Sequence, residues 1–145
     1  MNKYNNNAYE TKTYRALVVL FCFMVFSIIF GAEFLGQYFS KDAVNKLVCI
    51  DICIVFIIIA YIIKTKERIY WITSFSYKEA KNMEPEKRRI ISKTFWDVFG
   101  RNMIVLILYM IAGLVIGTPF ILDIIVFVVG VLFAAIRIMV VQSKI

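Results

Sequence analysis

The chain has 145 residues, 61% of them hydrophobic and only 19% charged, with a net charge of +7 and a mean hydropathy of +0.78. A soluble domain of this length has too little interior to hide that much apolar surface, so the composition excludes an ordinary soluble fold and points to a bilayer as solvent. Histidine is absent, which removes His-based general bases, Ser-His and Cys-His nucleophile pairs and zinc–imidazole sites.

Residues 1–15, "MNKYNNNAYETKTYR", are a polar lead carrying Lys3, Lys12 and Arg15. The apolar run 16–35 is the first predicted span. It reads as an anchor and not a cleaved signal, because Phe30 stands where a small residue should precede a cut near Gly31-Ala32. Glu33 follows its apolar core, and the next loop carries Lys41 and Lys46. The second span, 47–63, contains one acid, Asp51. Cys49 and Cys53 lie in it and Cys22 in the first span, without CxxC spacing. They read as small buried packing residues, with no disulfide framework and too few ligands for a metal.

The only sizeable polar region is 64–102, predicted as a linker. Tyr70 and Trp71 suit a membrane interface. "NMEPEK" (82–87) breaks and restarts a helix, with Pro85 in its first turn and Glu84 and Glu86 near its positive end. Ile91, Phe95 and Val98 then form one stripe, with Trp96 and Phe99 beside it, while Arg88, Arg89 and Lys93 fall largely off it. Gly100 permits a bend into the next span. This predicts an amphipathic helix lying at a membrane surface. It is either a solvated elbow or a surface for a partner or lipid headgroups, contacted through Arg88, Arg89, Lys93, Phe95 and Trp96.

The third and fourth spans, 103–117 and 120–141, form a hairpin broken by "GTPF" (117–120). Gly113 and Gly117 make a GxxxG pair, and Gly130 with Ala134 a second small pair. In lipid, close approach over small residues drives helix association, so these faces serve either packing within the hairpin or self-association. The stretch 70–111, "YWITSFSYKEAKNMEPEKRRIISKTFWDVFGRNMIVLILYMI", resembles the middle of small uncharacterised Firmicutes membrane proteins. In those a Met-x-x-Glu-x-Lys core precedes a Phe-Gly or Met-Gly pair that opens a two-helix hairpin. Met83, Glu86 and Lys87 approximate the core and Phe99-Gly100 the pair; the spacing is shifted, Ser74-Phe75-Ser76 replaces the usual Gly-Tyr-Asn, and the first span is extra. The resemblance implies architecture and carries no activity.

Lysine and arginine number three in 1–15, two at 41–46, ten in 64–101, none in the 117–120 turn and two, Arg137 and Lys144, in the tail. That split of fifteen against two predicts cytoplasmic termini and a cytoplasmic linker. The positive surplus reads as topology and contact with anionic inner-leaflet lipids, not as nucleic-acid binding.

On this topology Glu33, Asp51 and Asp123 all fall in the outer third; Asp51 is about 7 Å past Lys46 along a helix. In the plainer reading each reaches water or pairs with Lys41 or Lys46. In the sharper one the three converge on an acidic outer vestibule for a cation, a proton or a cationic peptide. A proton relay would need a deeper partner, and Arg137, roughly 21 Å from Asp123, reads as a snorkelling side chain. An aspartyl enzyme would want two acids at one depth, but no motif supports one, and there is no phosphate loop, GxSxG or HExxH.

The expectation is therefore an all-α, four-span membrane protein with a cytoplasmic amphipathic linker helix, non-enzymatic and without a cofactor. Its expected role is as an accessory or immunity-type protein that binds a membrane partner. The alternative is a homo-oligomeric channel or small transporter lined by Glu33, Asp51 and Asp123. The high Ile, Lys and Asn content suggests an AT-rich bacterial source.

Overall fold

The computed structural model describes residues 12–72 and 75–142. The predicted polar lead up to residue 11, and Lys144 in the tail, lie outside the described residues. Described residues form helices and turns, with no strand among them. In chain order these are α1 (Arg15–Leu35), α2 (Lys41–Lys66), a 3-10 turn (Ile69–Trp71), α3 (Tyr77–Asn82), α4 (Pro85–Phe95), a π-helical turn (Trp96–Gly100), α5 (Arg101–Ile116) and α6 (Phe120–Gln142). Four helices are long and apolar enough to cross a membrane: Arg15–Leu35, Lys41–Lys66, Pro85–Ile116 and Phe120–Val141.

The caps follow from local chemistry. Ser40 opens α2 by accepting a hydrogen bond from the Ala43 amide at 3.3 Å, and Asp42 sits favourably in the first turn. At the other end Lys64 and Lys66 lie in the last turn, and Glu67 ends the helix in the left-handed region (φ 51°). Ser76 and Glu79 form a reciprocal capping box on α3. Pro85 begins α4 where its missing N–H costs nothing. Gly117 ends α5 with φ 78°, a left-handed cap that lets the chain reverse into α6.

Helix α2 is the hub, packing against α1, α5, α4 and α6. One cluster of buried side chains joins Val55, Ile59 and Ile63 of α2 to Ile69, Tyr70, Ala80 and Ile91. A second joins Cys53 to Met103 and Leu106 of α5, flanked by Val126, Phe127 and Val131 of α6. By contrast α1 has no buried residue. Many large apolar side chains face outward, among them Phe23 at 61%, Leu132 at 56% and Val115 at 83% exposure. Such a surface is untenable in water and ordinary in lipid. The turns 36–40 and 117–120 share one end of the bundle, here the hairpin end; residues 67–100 form the other, the elbow end.

The linker departs from its expected form. Gly100 is helical (φ −60°, ψ −45°), and α4 runs through the π turn into α5 as one 32-residue helix instead of bending there. The Trp96 ring explains the glycine: a Cβ at position 100 would meet Trp96 Cε3 at 2.7 Å. Glycine is needed for close approach and not for a bend. The apolar stripe of α4 does not lie unpartnered, because Ile91 is buried in the elbow cluster and Phe95 packs at its edge.

Candidate functional site

A cluster of polar groups inside the apolar bundle lies near the hairpin end. Lys46, one turn into α2, is 2% exposed and Asp123, in the first turn of α6, is fully buried. Their charged atoms are 3.1 Å apart. Lys46 Nζ also donates to the carbonyls of Gly113 (2.8 Å) and Thr118 (2.6 Å). Thr118 Oγ1 lies 3.1 Å from Nζ and donates to Asp123 at 2.8 Å. The Tyr109 hydroxyl of α5 lies near the same carboxylate. The ammonium's three protons and the carboxylate are thus served by groups of this chain.

Helix ends explain why the cluster forms there. The C-terminus of α5 carries partial negative charge, so a lysine suits it; there the Gly113 carbonyl accepts from the Gly117 and Thr118 amides as well as from Lys46 Nζ. The start of α6 carries the opposite partial charge and suits Asp123. Gly113 supplies the room: a Cβ there would meet Thr118 Oγ1 at 2.7 Å and approach Lys46 Nζ at 3.7 Å. Chemically the arrangement is a neutral, saturated latch joining α2, α5 and α6.

Asp51 has a different setting. It is half-buried, accepts a 2.6 Å hydrogen bond from Ser27 Oγ of α1, and borders a groove of about 230 Å³ with Gly31, Ala32 and Leu47. Glu33 is exposed near the end of α1. No contact among the described residues joins any two of the three acids: Asp123 is held by Lys46, Asp51 by Ser27, and Glu33 faces outward. Pairing with Lys46, one half of the plainer expectation, describes Asp123 and not the other two.

The small-residue pairs divide as well. Gly113 opens onto the latch and Gly117 is the helix cap, so they do not act as one face. Gly130 does serve the hairpin: a Cβ there would meet Leu106 Cδ2 at 2.9 Å, and its carbonyl accepts from Asn102 Nδ2 at 2.9 Å. Ala134 is buried one turn further on. Cys49 and Cys53 are buried and Cys22 exposed, all as free thiols. Among the described residues no group of three or more acids or cysteines is placed to hold a metal.

At the elbow end the five predicted contact residues separate. Arg88 is buried (5% exposed), with Nε 3.2 Å from Glu67 Oε2 and Nη1 3.3 Å from the Ala80 carbonyl, so it is an internal strut and not a docking residue. The sequence places it off the apolar stripe but cannot show that Glu67 and Ala80, on other elements, close over that side. Phe95 stacks on Phe99 at 5.3 Å, and Trp96 meets Tyr61 edge-on with Lys64 over its ring at 4.9 Å. Arg89 and Lys93 are exposed. Nearby, the Ser76 hydroxyl, followed by the Ser76 backbone amide, holds the Glu79 carboxyl below its usual range. Ser27, Thr118, Tyr109 and Glu67 escape sequence reading, because each acts through a partner on another helix. Neither family models, curated proteins nor solved structures gave a match to the chain.

Proposed function

We propose that the chain is a non-enzymatic, multi-pass protein of a bacterial cell membrane that acts by binding a partner in that membrane. In this reading its termini and the elbow face the cytoplasm. The observation that supports it is the internal commitment of the polar groups within the spans. Lys46, Asp123 and Thr118 serve one another, Asp51 is taken by Ser27, and Asn102 by the Gly130 carbonyl. A catalytic dyad or ion path needs ionisable groups with capacity left over, and Lys46 and Asp123 spend theirs on each other, on Thr118 and on the Gly113 carbonyl.

The topology in this reading rests on the distribution of lysine and arginine. Counted alike, the two lysines assigned to the outer side, Lys41 and Lys46, stand against ten basic residues in 64–101. A polar docking face also remains on α4, where Ile90 is 47% exposed between exposed Arg89 and Lys93. The channel alternative has less behind it, since Asp123 is spent on Lys46.

Two measurements on the full chain test the proposal. Co-purification from native membranes in mild detergent should yield a second membrane protein that rebinds when both are reconstituted, and rebinding should weaken in Arg89→Gln/Lys93→Gln. Proteoliposomes should show no cation or proton flux above protein-free vesicles. Flux that disappears in Asp51→Asn would replace the accessory reading with the channel, and recovery of the chain only with itself would count against a partner.

A further inference from the structure

We propose that the hollow between the start of α5 and the last turns of α6 binds the phosphate of an anionic phospholipid. It has a volume of about 340 Å³ and is lined in part by Asp97, Arg101, Asn102, Val105, Phe133 and Arg137. This inference goes beyond partner binding and stands or falls separately from it.

The two arginines reach one level by symmetry of the hairpin. Arg101 lies seventeen residues before Thr118, and Arg137 seventeen after Phe120. Each is therefore about 25 Å along its helix from the turn. With hydrocarbon about 30 Å thick, both guanidiniums belong close to the elbow-side interface, where lipid phosphates sit. The π turn at 96–100 contributes to the opening. Trp96 faces Tyr61 of α2, leaving Asp97 and Val98 to line the α6 side of the helix. Extra-residue turns of this kind recur at binding sites.

The cationic groups have capacity to spare. Arg101, with its side chain 70% exposed, sets Nη2 3.2 Å from Asp97 Oδ1 in an ion pair and has further guanidinium donors to offer. Arg137 is exposed and has no ion pair or hydrogen bond with any described residue. Asp97 is the counter-charge in the hollow, so its net charge is +1 and an anion is the complementary occupant. Planar guanidiniums suit the paired oxygens of a phosphate. Below them Val105 and Phe133, 61% and 60% exposed, continue the wall toward the hairpin end. An acyl chain can follow that wall, which favours a lipid over a soluble phosphate. Basic hollows between spans are where anionic headgroups bind.

The test is native mass spectrometry of the full chain released from nanodiscs of phosphatidylcholine with a minor fraction of phosphatidylglycerol. Wild type should retain phosphatidylglycerol preferentially. Arg101→Gln/Arg137→Gln should retain it roughly 30-fold less, at about fivefold per cation. Lys78→Gln/Lys81→Gln on α3, two exposed lysines at the same end of the bundle, removes the same charge elsewhere and should stay within about twofold of wild type on that scale. Val105→Trp keeps both arginines and blocks the hollow from an exposed wall, so it should also lose retention. An equal loss in the Lys78/Lys81 pair, unchanged retention in either hollow variant, or full displacement by millimolar inorganic phosphate would overturn the proposal.

Discussion

At the hairpin end of the bundle a buried lysine meets an acid with no exposed surface, whereas at the elbow end a buried arginine meets an acid that still sees solvent. The Lys46 and Asp123 side chains are 3% and 0% exposed; those of Arg88 and Glu67 are 6% and 26%. Both pairs tie together segments distant in sequence, and both recruit backbone carbonyls at or just past helix ends. They differ in what replaces a lost partner. Water can reach Glu67 and screen it, but the Lys46 ammonium has apolar helices around it and no such substitute. The same chemical pair is therefore a rigid requirement at one end and an adjustable strut at the other.

Removing one member of the latch should show the contrast most strongly. Asp123→Ala leaves an ammonium buried without a counter-charge and should cost about 3–5 kcal/mol, read by denaturant or SDS titration in detergent. Replacing both partners with apolar residues, Lys46→Met with Asp123→Leu, should restore most of that loss, because the penalty lies in the orphaned charge and not in the absence of attraction. If the double variant is no better than the single one, the latch contributes something beyond charge neutrality. Gly113→Ala probes the same site sterically. Its methyl group would meet the Thr118 hydroxyl at 2.7 Å, and overpacking of this kind should cost roughly 2 kcal/mol in the same titration.

The four long apolar helices were legible in the sequence because a long apolar run bounded by charge favours a helix able to cross a bilayer. Their boundaries were less so. Helix α2 reaches beyond the predicted span 47–63 to begin at Lys41, since Ser40 caps it and the added turn buries Val44 and Lys46. Hydropathy treats a lysine as a boundary; only the position of Asp123, 77 residues later, makes burial tolerable. The possibility that Lys46 might serve an acid was visible, but the choice among three acids depended on helix rotation, which an almost uniformly apolar helix does not encode. Gly100 misled for a related reason. A glycine between a polar helix and a span suggests a bend, and what decides otherwise is the Trp96 ring packed against it.

At the elbow end the effects should be smaller. Arg88→Ala removes a charge-assisted hydrogen bond to Glu67 and leaves the Ala80 carbonyl without that donor, for a loss of about 1.5 kcal/mol by the same titration. A loss as large as that of Asp123→Ala would erase the distinction between the two ends.

The weakest effect belongs to Glu79, which is fully exposed and acts on α3 alone. Its carboxylate accepts from the Ser76 amide at 2.7 Å, and the Ser76 hydroxyl accepts from the Glu79 amide at 3.2 Å. Because the Ser76 contacts lower its pKa in the folded chain, the charged form is the one the cap favours. The contribution is accordingly complete above the ordinary glutamate value of about 4.3 and disappears as pH falls through the lower folded value. Amide exchange at residues 79–82, corrected for intrinsic rates, should lose protection over that acid window in wild type. Glu79→Gln keeps a side chain able to reach the Ser76 amide without the charge, so protection there should not vary with pH. A wild-type transition at higher pH than the ordinary value would mean that the carboxylate is disfavoured in the fold, and the capping box would then not be what holds this end of α3.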